Sequence, residues 1–181
     1  LNAKFVAIFS GGIMEKFCKD KNIKSYKIHE EHSPRASFLG FLYSTLNILE
    51  QIIPVKKIDI DKSIQSLFNL QRIISSENLN ETNEALQIAQ WIKEIPMVYY
   101  PSGLQSTAIR FKNSMQENSK THVMTEDVIE ACHNGIVAWD KPKNVQPILI
   151  QGKDDYEKTK ERWEIIKELF HEKNIPYKEI F

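Results

Sequence analysis

The stretch Ile95–Trp139 reads IPMVYYPSGLQSTAIRFKNSMQENSKTHVMTEDVIEACHNGIVAW and decides both the fold and the candidate chemistry. A short apolar strand is predicted over Met97–Tyr100, and an amphipathic helix follows it. His133 comes sixteen residues after Glu117 and precedes an apolar run. A carboxylate and an imidazole, each at the end of a regular element, are suited to moving protons on and off carbon and oxygen.

Upstream of this stretch, predicted strands and helices alternate. Phe5–Phe9 is a continuous apolar run typical of a buried parallel strand. A second strand is predicted over Lys24–Ile28, and Pro34 suits the first turn of the helix that follows. This order predicts an α/β fold with a parallel sheet flanked by helices.

A break at Pro54–Asp61 is followed by two helical patterns without a strand between them, and Asn78–Thr82 is the predicted turn that joins them. The α/β alternation then resumes. We therefore predict three segments: residues 1–53 as the later part of a first α/β domain, 54–94 as a helical connection, and 95–181 as a second α/β domain.

The last part of the chain contributes two further strands and a helix. A strand is predicted over Val145–Ile150 and another over Ile175–Phe181. Asp154, with Glu157 three residues later, forms a capping-box pattern that predicts the start of the long helix between these strands.

Composition restricts the class of protein. The 181 residues include 24 Lys and Arg and 24 Asp and Glu, and this zero net charge argues against a nucleic-acid partner. The longest apolar run is too short for a membrane span, and we expect no signal peptide. Cys18 and Cys132 form no disulfide or zinc pattern, so the cytoplasm is the expected location.

The candidate site residues also have ordinary structural explanations. On a helical wheel Glu117 lies opposite the apolar stripe that begins at Leu104, so it either belongs to a solvated face or faces a cleft as a general base. An isolated histidine such as His133 is commonly a packed, hydrogen-bonded residue. His29 and His32 are three apart, whereas the zincin pattern needs four, so a metal site is not expected there.

Four segments together resemble the bifunctional phosphoglucose/phosphomannose isomerases of archaea and bacteria. AIRFKNSMQENSK resembles the family's A-x-R-W-K and N-E-N-A-K, and CHNGIVAW resembles N-H-N-E-x-x-G-W. Ser33-Pro34-Arg35-Ala36 resembles the family's P-R-A segment, and Ser10-Gly11-Gly12 resembles its T-S-G-G turn. The departures of the chain from the family pattern include Gln116, Ser119, Cys132 and Gly135.

The resemblance implies two sugar-isomerase (SIS) domains with a flavodoxin-like parallel sheet, the first of them incomplete. It also implies interconversion of glucose 6-phosphate or mannose 6-phosphate with fructose 6-phosphate through a cis-enediol, without a metal or organic cofactor. Glu117 would be the base, and Arg35 would bind substrate and stabilise the enediol charge. His133 would bind substrate and assist ring opening from across a homodimer interface.

The resemblance further places the family's phosphate-binding loop before Leu1 and a ring-opening lysine after Phe181. The 181-residue segment alone is therefore expected to be inactive. Two alternatives remain open from the residues. One is a non-catalytic SIS module that binds a sugar phosphate, and the other is a different aldose–ketose or amino-sugar isomerase.

Overall fold

The chain forms two compact α/β units. A computed structural model describes residues 3–141 and 144–181, and the chain divides into the units Leu1–Ile73 and Ile74–Phe181. Both units contain parallel strands flanked by helices, which confirms the predicted fold class. Within the described residues, no helix has the length and apolar character needed to cross a membrane.

The first unit contains a two-stranded parallel sheet. Strands β1 (Val6–Phe9) and β2 (Lys24–Lys27) pair in register from Val6 opposite Lys24 to Phe9 opposite Lys27. Ile28 donates its backbone N–H to the Phe9 carbonyl at 2.9 Å and so extends the ladder by one bond. The elements of this unit are β1 (Val6–Phe9), α1 (Gly12–Asp20), β2 (Lys24–Lys27), a 3-10 helix (Pro34–Ser37), α2 (Phe38–Ile48) and α3 (Lys57–Ile73).

The first unit buries less than its sequence predicts. Phe5 is 72% exposed and Val6 42% exposed, and in β1 only Phe9 is buried. In α2 and α3, which the structure describes throughout, no side chain is buried. Two strands and few helices offer little surface against which an apolar side chain can pack, so the apolar run of β1 is not a buried central strand.

The second unit contains a four-stranded sheet in which every neighbouring pair is parallel. In spatial order the strands are β4 (Met124–Asp127), β3 (Ile95–Tyr100), β5 (Val145–Ile150) and β6 (Lys178–Ile180). Tyr99 lies opposite Glu126 on one side and opposite Leu149 on the other. Its elements are α4 (Glu84–Trp91), β3 (Ile95–Tyr100), α5 (Gln105–Asn118), β4 (Met124–Asp127), α6 (Val128–Ala131), a 3-10 helix (Gly135–Asp140), β5 (Val145–Ile150), α7 (Glu157–Glu172) and β6 (Lys178–Ile180).

Helices cover both faces of this sheet, and each face has its own apolar core. Successive strand side chains point to opposite faces, so Val98 and Tyr99 belong to different cores. One core joins Val98 and its neighbours to α4 and α5 through Ile88, Trp91, Ala108, Phe111 and Met115. The other joins Tyr99 and Leu149 to α6, the second 3-10 helix and α7 through Val128, Ala131, Trp139, Trp163, Ile166 and Phe170.

Several local predictions differ from the structure. Helix α3 begins at Lys57, inside the predicted break, and Pro34 begins a 3-10 turn before α2. The prediction that Asp154 caps α7 is wrong, because the helix begins at Glu157 with Tyr156 in the N-cap position. Strand β4 and helix α6 were not predicted from the sequence. The last strand is shorter than predicted, at Lys178–Ile180.

Candidate active site

Helix α5 presents Glu117 to solvent at its last turn. The helix packs on the sheet through Leu104, Ala108, Phe111 and Met115, whereas Glu117 lies on the exposed side. Its fourteen residues span about 21 Å, which matches the length of β3 beneath it. Because α5 starts where β3 ends and runs back along it, Glu117 lies near the amino ends of the strands.

The residues around Glu117 close the end of the helix. Lys120 adopts the left-handed conformation with φ 58°, and its ammonium Nζ donates to the Glu117 carbonyl oxygen at 2.6 Å. The Asn118 side-chain amide donates to the Ser114 carbonyl at 2.9 Å. A cation at the negative end of the helix dipole and a residue with positive φ both stabilise a helix terminus. This arrangement fixes the backbone that carries Glu117.

His133 lies in a tight turn that follows α6. The backbone N–H groups of His133 and Asn134 both donate to the Glu130 carbonyl oxygen, at 3.0 and 2.9 Å. The Asn134 side-chain amide also donates to the Glu130 carboxylate. The His133 side chain is exposed. Glu130 therefore organises the turn while leaving the imidazole accessible to a ligand.

The apolar run after His133 is anchored by Trp139. Its indole Nε1–H donates to the Tyr99 hydroxyl at 2.9 Å, and its ring meets Phe170 edge-on at 5.2 Å between centroids. Burial raises the pKa of Tyr99 to about 12, although the Trp139 hydrogen bond acts in the opposite direction. A neutral tyrosine hydroxyl thus accepts the indole proton throughout the physiological pH range.

Glu117 and His133 belong to elements on opposite faces of the same sheet. Helix α5 packs with the Val98 core, whereas α6 and the 3-10 helix pack with the Tyr99 core. His133 also follows the carboxyl end of β4, whereas Glu117 lies near the amino ends of the strands. Within one copy of the chain the sheet lies between the helices that carry them.

The structure reveals a further acidic residue that the sequence analysis did not select. Glu126 of β4 is half-buried beside Gly135, and its carboxylate occupies the space next to the Gly135 α-carbon. Burial raises the pKa of Glu126, and the negative charge of Glu130 raises it further. One indication of this contact is present in the sequence, where a glycine without a side chain, Gly135, directly follows His133-Asn134.

Arg35 lies in the first unit, whereas Glu117 and His133 lie in the second. It is exposed within the 3-10 helix, where the Ala36 N–H donates to the Ser33 carbonyl at 3.0 Å. Ser33 is extended, as expected for a residue before proline. The fixed φ of Pro34 thus turns the chain and presents Arg35 on the first turn.

The Ser10-Gly11-Gly12 segment forms the turn between β1 and α1. Gly12 has φ 74°, which side-chain-bearing residues rarely adopt. Glu15 lies one turn into α1 and is bound by Lys19 at 2.9 Å and by Lys27 at 3.0 Å. The hydrogen bond from Lys19, followed by that from Lys27, lowers the pKa of Glu15.

The histidine pair near the end of β2 does not form a ligand cluster. His29 Nδ1 lies 3.4 Å from the Glu31 carboxylate, and both side chains are exposed. Across residues 3–141 and 144–181, His, Cys, Asp and Glu side chains do not gather in groups of three that could hold a metal ion. Cys18 is buried, and burial raises the pKa of the half-buried Cys132 thiol.

The architecture of the second unit, a parallel sheet between two helical layers, is that of a sugar-isomerase domain. Residues 81–181 match the family described as the bacterial phospho-glucose isomerase C-terminal SIS domain. The chain belongs to this family. Glu117, Glu126 and His133 all lie within the matched residues.

Curated relatives extend the likeness to most of the chain. It is 28% identical over 177 residues to the bifunctional phosphoglucose/phosphomannose isomerase of Caldicellulosiruptor bescii, covering 92% of this chain and 52% of the relative. It is 24% identical over 172 residues to the protein of the same name from Aquifex aeolicus, covering 93% and 51%. The chain therefore spans about half the length of these relatives.

A solved structure supports the fold. The C-terminal domain of glucosamine-fructose-6-phosphate aminotransferase from Francisella tularensis aligns with a TM-score of 0.53 and 17% sequence identity. The alignment covers 96% of this chain and 57% of that one. At this identity the likeness is one of fold.

Proposed function

We propose that the protein containing this chain isomerises hexose 6-phosphates, converting glucose 6-phosphate and mannose 6-phosphate to fructose 6-phosphate through a cis-enediol. The observation that carries the proposal is that the family match includes both an exposed glutamate on a closed helix end and an exposed histidine on an organised turn. The names of the two relatives supply the substrates.

In the proposed reaction Glu117 moves the proton between carbons. Its carboxylate takes the proton from C2 of the open-chain aldose and returns it to C1, while the carbonyl and hydroxyl exchange positions through the enediol. A general base that is fixed by its backbone and open to a ligand suits this transfer. The Lys120 and Asn118 bonds to the last turn of α5 support this role.

His133 assists ring opening in this proposal and acts in the site of a second copy. An imidazole both donates and accepts protons near neutral pH, as ring opening requires. The placement of α5 and α6 on opposite faces of one sheet supports action across a homodimer interface. In a two-fold dimer each copy would complete the partner's site with its own histidine.

Arg35 completes the proposed set as the residue that binds substrate and stabilises the enediol charge. A guanidinium stays charged and directs parallel N–H groups at two oxygens, so it suits a developing enediolate. The reaction moves protons within one molecule and leaves its overall oxidation state unchanged, so it requires no redox cofactor.

The test is deuterium exchange with the intact gene product. Fructose 6-phosphate is incubated in heavy water and followed by proton NMR with the native protein, Glu117→Gln and Glu168→Gln. Glu168→Gln is the matched control, because it makes the same change on the exposed side of α7. With the native and control proteins we expect deuterium at C1 or C2 and the formation of both aldose phosphates. With Glu117→Gln we expect a rate of deuterium entry about 10²–10⁴-fold lower.

Two results would contradict the proposal. Binding of fructose 6-phosphate by the native protein without exchange would instead identify a non-catalytic sugar-phosphate module. Exchange by Glu117→Gln at the native rate would show that another group is the base.

A further inference from the structure

A carboxylate lies against the backbone of the turn that carries His133. A Cβ built on Gly135 would meet the Glu126 Oε2 atom at 2.5 Å and the Glu126 Cδ atom at 3.0 Å. Contacts as short as 2.5 Å essentially do not occur for a real Cβ. The Glu126 carboxylate therefore occupies the position in which a side chain at residue 135 would begin.

The strand register delivers Glu126 to this place. Glu126 pairs with Tyr99 across β3 and β4, so its side chain lies on the sheet face covered by α6 and α7. The charged or titratable groups near it are Glu130 on α6 and Tyr99 on β3, while Arg162 on α7 acts on the neighbouring Cys132. Half-burial beside a second carboxylate is a costly position for a glutamate without a role.

Two carboxylates lie beside the turn, and one of them is hydrogen-bonded to it. Glu130 receives the side-chain amide of Asn134, and its carbonyl accepts the N–H groups of His133 and Asn134. Glu126 lies over the next residue, Gly135. The family pattern N-H-N-E has a glutamate where this chain has Gly135, so the carboxylate missing from the turn itself is present beside it.

We propose that Glu126 is a positioning residue for His133, supplying from strand β4 the carboxylate that the family pattern carries at residue 135. The inference deepens the proposed function and rests on it for its catalytic consequence. The contact between Glu126 and the turn stands independently of that function.

Gly135→Ala separates position from chemistry, since it retains Glu126 but removes the space for its carboxylate. Gly135 is not among the described residues with positive φ, so alanine introduces no backbone strain there. The end of a glutamate side chain is flexible, and we expect it to swing into solvent while the protein stays folded. Gly40→Ala is the matched control, because its Cβ would meet Ile28 at an ordinary 3.6 Å.

The contact is tested by titrating Glu126 in protein labelled with carbon-13 at the glutamate carboxyl carbons. In the native protein and in Gly40→Ala, we expect the pKa of Glu126 above the ordinary range of glutamate. In Gly135→Ala we expect it to return toward that range as the carboxylate becomes solvated. An unchanged titration in Gly135→Ala would overturn the contact.

The positioning role is tested by measuring ring opening separately from carbon-bound proton transfer. Exchange between the anomers of glucose 6-phosphate reports ring opening, and deuterium entry reports the second step. We expect Glu126→Gln and Gly135→Ala to slow anomer exchange about tenfold to a hundredfold, as His133→Gln does, because the imidazole is misplaced. Glu117→Gln should retain anomer exchange and lose deuterium entry.

Rescue decides between positioning and general damage. The double variant Glu126→Ser with Gly135→Glu returns a carboxylate to the turn from the other residue, and we expect anomer exchange within about threefold of native. Native rates of anomer exchange in both Glu126→Gln and Gly135→Ala would overturn the positioning role. A double variant that does not recover anomer exchange would also overturn it. A native protein that catalyses neither step would refute the proposed function and this role together, while the titration would still decide the contact.

Discussion

Replacement of Tyr99 by Phe tests the anchor beneath the His133 turn. Tyr99 is 2% exposed and Trp139 is 9% exposed, and the Tyr99 hydroxyl accepts the indole proton at 2.9 Å. The substitution keeps the ring but leaves a buried indole N–H unpaired, which costs about 1–3 kcal/mol of unfolding free energy. At roughly 3 °C per kcal/mol for a chain of this size, Tm should fall by about 3–9 °C.

The same hydroxyl makes the effect depend on pH. An unfolded tyrosine ionises near pH 10, whereas the folded pKa of Tyr99 is about 12. The folded state keeps this proton longer, so the stabilisation is fully present below about pH 10 and is lost as pH rises to about 12. Over this pH range the free energy of unfolding of the native protein should fall by about 3 kcal/mol. Tyr99→Phe has no hydroxyl to ionise and should not show this fall. The stability difference between the two proteins should therefore narrow.

Urea unfolding followed by tryptophan fluorescence measures both effects. The three tryptophans, Trp91, Trp139 and Trp163, all lie in the second unit, so the signal reports its unfolding. Tyr100→Phe is the matched control, since the Tyr100 hydroxyl accepts a long 3.5 Å hydrogen bond from Gln105, and we expect its loss to cost less than about 1 kcal/mol. Two results would show that the Tyr99 hydroxyl does not stabilise the unit as described. One is an equal loss of unfolding free energy in both variants, and the other is a difference between native and Tyr99→Phe stability that stays constant from about pH 9 to 12.

Two further predictions concern local structure. Asn83 is 4% exposed, caps α4 by accepting the Leu86 N–H at 3.0 Å and donates to the Asn78 carbonyl at 2.8 Å. Asn83→Ala should lower the free energy of unfolding by about 1–3 kcal/mol in urea titration, and an unchanged midpoint would contradict this cap. Gly12→Ala should destabilise by about 1 kcal/mol because of its positive φ, whereas Gly40→Ala, inside α2, should stabilise by about 0.5–1 kcal/mol. Thermal melts that change in the same direction for both glycine variants would contradict the assignment of their backbone conformations.

The sequence predicted the central strands well because burial on both faces leaves a continuous apolar run. Val145–Ile150 has the predicted bounds, and β3 extends the prediction by two residues to Ile95. Strand β4 was missed because Met124–Asp127 lies at the sheet edge and carries polar side chains. An edge strand pairs on one side only, so its backbone bonds decide its structure more than its side chains do.

The capping prediction failed because a tertiary contact competed with a local pattern. Asp154 and Glu157 have the capping-box spacing, yet the adjacent Asp155 carboxylate organises the turn. It accepts the Gly152 N–H and the Trp163 indole N–H, each at 3.0 Å. These bonds hold the loop against α7 and delay the helix to Glu157. Sequence spacing alone does not reveal a partner eight residues away in the core.

The candidate site was only partly accessible from the sequence. Resemblance to the family's segments selected Glu117, His133 and Arg35, and their roles remain predictions. Glu117 and His133 belong to elements on opposite faces of one sheet, and Arg35 belongs to the other unit. This distribution depends on the tertiary structure, which local sequence patterns do not contain. Glu126 was missed because a glutamate in a short polar segment is typical of a solvated surface. Only the register with Tyr99 reveals that it is directed at Gly135.

In the proposed dimer, Glu117 of one copy and His133 of the other act in the same site. The test uses the Glu117→Gln and His133→Gln variants of the intact gene product, each with a different affinity tag. The two variants are coexpressed, and the mixed dimer is isolated through both tags. Deuterium entry into fructose 6-phosphate is then measured. One of the two sites in the mixed dimer would contain both native residues. We therefore expect deuterium to enter at about half the native rate, far faster than with either parent variant. A mixed dimer no faster than its parents would contradict it.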